Sequence, residues 1–251
     1  MPKTRKATFS TLGVTLCATA LTVGLTSTAF AADDNGIADK SVDEISKASR
    51  AALDGVSSLH VEAEIKGMAE PAPAAFELSY DTKGNCTGTV TNQRNKGSME
   101  VLRQGDRVWI KPDAKWLESE MPELKGDAAA ELVKGKYFET STKDANGAKI
   151  AELCDLNGFK QQIRDRAGEA QKATVTKGER TEVDGRPAIE LKVKKGTQEG
   201  SSFVATEGKP YPLKVEADDS ADGVEVEMTF SEFDKPVTVK TPPADQTVDI
   251  N

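Results

Sequence analysis

Histidine is nearly missing from this chain. His60 is the single one in 251 residues, so no set of imidazoles is available for a catalytic metal and no HExxH helix is encoded. Cysteine is scarce as well: three residues, none in a CxxC pair, which removes the common thiolate zinc and dithiol redox motifs. There is no GxSxG turn and no glycine-rich phosphate loop, so neither an acyl-transfer nucleophile nor a nucleotide site is written in recognisable form. Aromatic residues make up 5% of the chain. That is thin for a helical core and fits many short strands, because Gly, Thr and Val are plentiful. Beyond the N-terminal stretch, no apolar run is long enough to span a bilayer.

Positive charge is also in deficit, with 33 Lys and Arg against 41 Asp and Glu. Three of the basic residues, Lys3, Arg5 and Lys6, open the chain. Leu12 to Phe30 follows, uncharged and mostly apolar or small, and Ala29-Phe30-Ala31 has the A-x-A form of a cleavage site. This reads as a secretory signal over 1–31, with Ala32 as the mature N-terminus. An uncleaved anchor is the competing reading; the threonine content and the small-residue site weigh against it. Arg5-Lys6 is not a twin arginine. Cys17 follows Leu16 and sits inside the apolar stretch, so it reads as a passive residue and not as a lipidation site, and a lipid anchor is not expected. After the leader, 30 basic residues face 41 acidic ones over 220 residues, a net of −11. Such a balance argues against nucleic acid and against attraction to anionic headgroups.

Cys86 and Cys154 remain outside the leader. In an oxidising compartment such a pair is expected as a disulfide. A redox or metal role finds no support in the surrounding residues, and no metal or cofactor is expected. Asn85-Cys86-Thr87 has the form of a glycosylation sequon, but the cysteine is better used in the bridge.

What the chain does have is alternation. Leu59-His60-Val61-Glu62-Ala63-Glu64-Ile65, Phe76-Glu77-Leu78-Ser79-Tyr80 and Val224-Glu225-Val226-Glu227-Met228-Thr229-Phe230 place apolar residues at every second position. Each predicts a strand with one apolar and one polar face. Strands are expected at roughly 58–66, 75–82, 85–92, 97–104 and 106–111, and again at about 172–183, 186–195, 200–207, 211–217 and 223–233. Lys83-Gly84-Asn85, Gln104-Gly105-Asp106 and Asp184-Gly185 supply hairpin chemistry, whereas Pro71 and Pro73 make the first connection an open loop. Asp33 to Asp39 is polar and reads as a loose tether before a single domain over 41–251.

Ser41-Val42-Asp43-Glu44 is a capping box for an amphipathic helix closed by Gly55. Between the strand runs the alternation fades. Asp127 to Val133, Ile150 to Leu153 and Phe159 to Arg166 read as short helices, the last capped by Asp155 or Asn157. Pro236, Pro242 and Pro243 keep the tail extended along an edge. The expected class is α+β: one large curved antiparallel sheet of about ten strands with a few short helices against it.

Candidates for chemistry are weak. His60 reads as a surface residue beside Glu62 and Glu64. The pairs Glu62/Glu64 and Glu225/Glu227 read as a solvated face that also discourages edge pairing. Asp218-Asp219-Ser220-Ala221-Asp222-Gly223 opens like a calcium loop, but its twelfth position falls on Thr229, so it reads as a hairpin turn. No catalytic set emerges. The apolar face is the remaining candidate: Val61, Ile65, Phe76, Leu78, Tyr80, Val101, Ile189, Leu191, Val193, Leu213, Val215, Val226, Met228 and Phe230. Some of it is ordinary core. A sheet too large for its helices would leave the rest lining a cavity for an apolar ligand.

Several stretches carry a resemblance. Ser57-Ser58-Leu59-His60-Val61 follows the first helix. Gly105-Asp106-Arg107-Val108-Trp109-Ile110-Lys111-Pro112 leads to Lys115-Trp116 and then Gly135-Lys136-Tyr137. Val183-Asp184-Gly185-Arg186-Pro187-Ala188 starts the second strand run. Ala205-Thr206-Glu207-Gly208-Lys209-Pro210-Tyr211-Pro212-Leu213 and Thr229-Phe230-Ser231-Glu232-Phe233 complete the order. The chain from residue 41 onward resembles the LppX/LprG-type lipoproteins of actinobacteria. The resemblance implies the fold shared with LolA/LolB lipoprotein carriers, a half-closed antiparallel sheet wrapped around helices with a hydrophobic cavity. It implies a monomeric, non-enzymatic protein of the cell envelope whose partner is a lipid, a lipidated molecule or a lipoglycan. Related sheets act as envelope sensors, which leaves a protein partner and a filled core as the alternative. Most members carry a lipobox cysteine at the cleavage site. Ala31-Ala32 stands here instead, so a freely secreted product is expected.

Overall fold

In a computed structural model the structure describes residues 33–69, 73–123, 126–169 and 173–250. The expected leader with its Ala31-Ala32 cleavage site, and Pro71 of the first connection, lie outside the described residues.

The first helix, α1 (Val42–Asp54), begins as its sequence dictates. Ser41 Oγ accepts the Glu44 amide, and the Glu44 carboxylate accepts the Ser41 amide at 2.9 Å. This reciprocal pairing satisfies two helix-end donors. Ile45, Ser49 and Leu53 form its buried stripe. The first strand run follows as β1 (Ser58–Lys66), β2 (Ala75–Asp81), β3 (Asn85–Thr91), β4 (Ser98–Gln104) and β5 (Arg107–Pro112). The middle holds α2 (Ala114–Glu120), α3 (Asp127–Val133), β6 (Tyr137–Ser141), α4 (Ala145–Leu153) and α5 (Leu156–Glu169). The second run is β7 (Thr174–Val183), β8 (Arg186–Lys195), β9 (Gln198–Ala205), β10 (Pro212–Asp219) and β11 (Val224–Ser231), and β12 (Thr247–Asp249) ends the chain.

All twelve strands join one sheet, in the order β12-β6-β5-β4-β3-β2-β1-β11-β10-β9-β8-β7. Two antiparallel meanders, β1 to β6 and β7 to β11, meet at a single seam. There β1 pairs with β11, with Val61 opposite Phe230 and Ile65 opposite Val226. The sheet is open and curved, and the class is α+β as expected. Two strands exceed the expected ten, β6 and β12, and these two pair in parallel. Helix α2 was likewise not foreseen. The Asp218–Gly223 stretch is a hairpin turn, with the Gly223 amide donating to the Asp219 carbonyl at 2.8 Å.

Residues 33–39, expected as a loose tether, are instead docked. Asp34 bridges Glu207, Asn35 donates to the carbonyls of Ala205 and Gly208, and Ile37 and Ala38 are buried. Lys177 donates to the Ala38 carbonyl at 2.8 Å and Arg180 pairs with Asp34 at 2.7 Å. The polar composition hid two apolar anchors and an Asx turn, in which the Asn35 side chain accepts the Ile37 amide.

The Cys86–Cys154 disulfide is formed, with Cα atoms 5.6 Å apart. It ties β3 to the end of α4, and both cysteines are fully buried.

The C-terminal tail is a strap. The Asp234 amide donates to the Ser58 carbonyl at the top of β1, and the chain reappears at Thr247 opposite Tyr137, at the bottom of β6. Between these points it crosses the polar face diagonally, where Val237 and Thr238 lie beside Ser79 and Thr87. Val237, Val239 and Pro242 are half-buried while Thr238, Lys240 and Thr241 are exposed, the alternation of an extended segment with one face down. Trp109 lies on this polar face, in register with Leu102 and Glu139. It is nonetheless 0% exposed, and the Arg107 guanidinium sits 4.6 Å above its ring.

Candidate functional site

Strand register decides which side chains share a face. Phe230, Val61 and Leu78 line up across β11, β1 and β2, as do Met228, Ala63 and Phe76. Ile65, Val226, Ala217, Gly200 and Val193 form a further row across β1, β11, β10, β9 and β8. Leu78 and Val101 both flank Gly88, and a Cβ at Gly88 would lie 1.9 Å from the Glu77 carbonyl. The expected apolar set therefore occupies one side of the sheet.

Along this face the cover is uneven. At the end where β1 begins, Val61, Leu78, Tyr80, Val101, Leu213 and Phe230 are buried with Leu53 of α1, Val56 of the α1–β1 connection and Leu156 of α5. Phe159 of α5 stands edge-on to Tyr80, with ring centroids 5.8 Å apart, and leans on Phe230 at 6.2 Å. Burial pushes the Tyr80 phenol far up from its ordinary value. Ile189 and Leu191 form a second packed group with Ile37, Ile45 and Val204. Toward the other end Ile65 is still buried, but Phe76, Val193, Val215, Val226 and Met228 are only half-buried.

Lys160 ties α5 to the end of α1. It is 5% exposed, and its ammonium donates to the carbonyls of Asp54 and Val56 at the end of α1. A cation belongs at a helix C-terminus, where carbonyls lack partners. Burial lowers its pKa.

The scattered motifs converge on one corner. Tyr211 and Phe233 stack at 4.0 Å, and the Arg186 guanidinium lies 5.6 Å over Phe233. Asp234 accepts the Ser57 amide at 2.7 Å and the Tyr211 hydroxyl at 3.0 Å. The backbone hydrogen bond from Ser57 is the main reason its carboxyl is held below the usual range. Four stretches far apart in sequence thus build one joint, where strap, α1–β1 connection and β10 meet. Asp234 lies past the last alternating residue and carries no sequence signal of this role.

Clefts open on the polar face. One, of about 760 Å³, is walled by Glu64, Lys66, Lys192, Glu199, Glu216 and Glu225, with Val193 and Val226 also contributing. The neighbouring strands β1, β11, β10, β9, β8 and β7 all line it. Lys66 pairs with Glu225 at 2.8 Å, and Lys214 with Glu216 and Glu227 at 2.7 and 3.0 Å. A second cleft of about 310 Å³ lies beside Glu62, Glu77, Thr89 and Thr229, with Phe76 at its edge. His60 borders this region. Expected as a surface residue, it has a side chain only 16% exposed, because Ser79 and the acids of β1 and β2 close around the ring.

No family model and no curated protein matches the sequence. Solved structures do. The lipoprotein LppX of Mycobacterium tuberculosis is 12% identical, with 83% of this chain and 100% of that one covered at a TM-score of 0.50. LprF from Mycobacterium bovis is 14% identical, with 79% and 95% covered at a TM-score of 0.53. At these identities the likeness speaks for fold and not for ligand. This chain is built on the fold of LppX and LprF, the resemblance its motifs implied.

Proposed function

We propose that this protein is a non-enzymatic carrier of lipids or lipidated molecules in the cell envelope. The observation that carries the reading is the uneven cover of the apolar face. The described residues hold five α-helices against a sheet of twelve strands, and Phe76, Val193, Val215, Val226 and Met228 stay half-buried on the apolar face, where an acyl chain would meet them. Each methylene that leaves water there contributes about 0.8 kcal/mol, so a fatty-acyl chain gains useful affinity without any polar contact. The fold shared with LppX and the internal disulfide support an extracytoplasmic site of action. Secretion after cleavage at Ala31 and a monomeric state belong to the same reading.

The test is native mass spectrometry on protein expressed with its leader. Added mass that organic solvent strips is the expected result. Phe76→Glu and Met228→Glu place charge on the half-covered face and should abolish uptake of fluorescent fatty acids while circular dichroism stays unchanged. A clean apo mass with no probe uptake sinks the carrier reading. The second reading, an envelope module that binds another protein, is favoured by the tight packing beneath α5 and by the polar clefts outside. It predicts the clean mass together with a stoichiometric protein partner.

A further inference from the structure

We infer that His60, Glu62 and Glu77 form a binding site for a divalent transition-metal ion, with zinc as the best match, on the polar face of the sheet. His60 Nε2 lies 3.2 Å from Glu62 Oε1 and 3.9 Å from Glu77 Oε1, and one ligand atom from each residue falls within 4.8 Å of the others. Zinc held at about 2.0–2.2 Å by nitrogen and oxygen in a tetrahedron sets its ligands roughly 3.4 Å apart. The observed separations bracket that spacing, so small rotamer changes of the two glutamates close the site.

The donors are held by sheet backbone and not by a loop. Glu62 and Glu77 sit directly opposite each other on β1 and β2, and His60 is opposite Ser79 one step along the same face. Both strands are paired on each side, β1 to β11 and β2 to β3. The ring is oriented from behind: Nδ1 lies 2.8 Å from Ser79 Oγ. In the metal-free ring Nε2 lies 3.2 Å from Glu62 Oε1 and donates to that carboxylate; with Nδ1–H donating to the Ser79 hydroxyl instead, Nε2 gives up its proton and turns its lone pair to the ion, the second-shell arrangement that fixes the tautomer of a metal-bound imidazole.

Charge argues the same way. Like charges directly opposite on neighbouring strands destabilise a sheet. Among the described residues no lysine or arginine pairs with Glu62 or Glu77. Lys214 is engaged by Glu216 and Glu227, and Lys235 by Glu232. A bound dication supplies the missing neutralisation. One imidazole with two carboxylates suits zinc or copper(II) and is too nitrogen-rich for calcium or magnesium. The glutamate side chains are 63% and 65% exposed, which leaves the fourth position to water.

The experiment is calorimetric titration of untagged, EDTA-treated protein with zinc chloride, paired with ¹H–¹⁵N spectra of the imidazole, which needs no assignment in a chain with one histidine. One saturable site is expected, with the ring signals moving as it fills. His60→Asn, Glu62→Gln and Glu77→Gln should each weaken binding at least about tenfold. Glu199→Gln, an acid elsewhere on the same face, should leave it unchanged. Equal binding by the three ligand variants, or no saturation up to the order of 1 mM zinc, overturns the site. Circular dichroism of each variant separates lost binding from lost fold.

Discussion

A single carboxylate, Asp234, holds the corner where the strap leaves the sheet. Its φ of 61° is left-handed, a conformation that asparagine shares with aspartate at little cost. Asp234→Asn therefore removes charge and leaves the backbone in place. The folded-state pKa lies below the unfolded one, so the carboxylate's contribution is fully present above the unfolded value. It fades as pH falls through the folded value. Urea unfolding should find the variant less stable by about 1 kcal/mol at pH 7. The gap should narrow below about pH 4 and vanish at still lower pH. A gap independent of pH refutes the charged role. Asp234 was illegible in the sequence because its partners, Ser57 and Tyr211, come from elements that only the folded sheet brings together. His60 was misread for a related reason: alternation assigned its face correctly but not the neighbours that crowd it.

At the scale of elements, the strap gives a second expectation. Truncation after Lys235 should uncover Trp109 and Leu102, move tryptophan emission to the red, and cost about 3 kcal/mol in unfolding free energy. Unchanged emission means that Trp109 is sheltered by something else. The strap was half legible. Its prolines announced an extended segment, and β12 does run along the edge of β6. The long alternating strands were legible to within a residue or two, since each carries its own apolar row. Tyr137-Phe138-Glu139-Thr140-Ser141 carries no such row, and Thr247-Val248-Asp249 is too short to carry one, so β6 and β12 are strands only because a neighbour offers free amides and carbonyls. Helix α2 starts at a side-chain cap, with Asp113 accepting the Trp116 amide at 2.7 Å, a signal present in the sequence but overshadowed by the β-rich stretch before it. The apolar face of the site was legible residue by residue. How much of it the helices cover was not, because cover depends on where α1 and α5 come to rest.

For the whole molecule, the disulfide is the main covalent restraint. Its cysteines are 68 positions apart, which on the chain-entropy model contributes about 4 kcal/mol. The Cys86→Ser/Cys154→Ser protein should unfold at correspondingly lower urea, and a loss well under 1 kcal/mol contradicts that model for this fold. The β1–β11 seam has a different consequence, one of time and not of strength. Every other antiparallel pair joins consecutive strands, so the two meanders assemble from local contacts and nucleate early. The seam joins Ser231 to His60, about two thirds of the chain apart, and closing so large a loop is the slow, entropically uphill step. Until it closes, β1 and β11 each offer a raw row of amides and carbonyls to any passing copy. The species most prone to swap strands or clump is therefore the one with both meanders built and the seam open, and the refolding yield should fall with protein concentration for as long as that species lives.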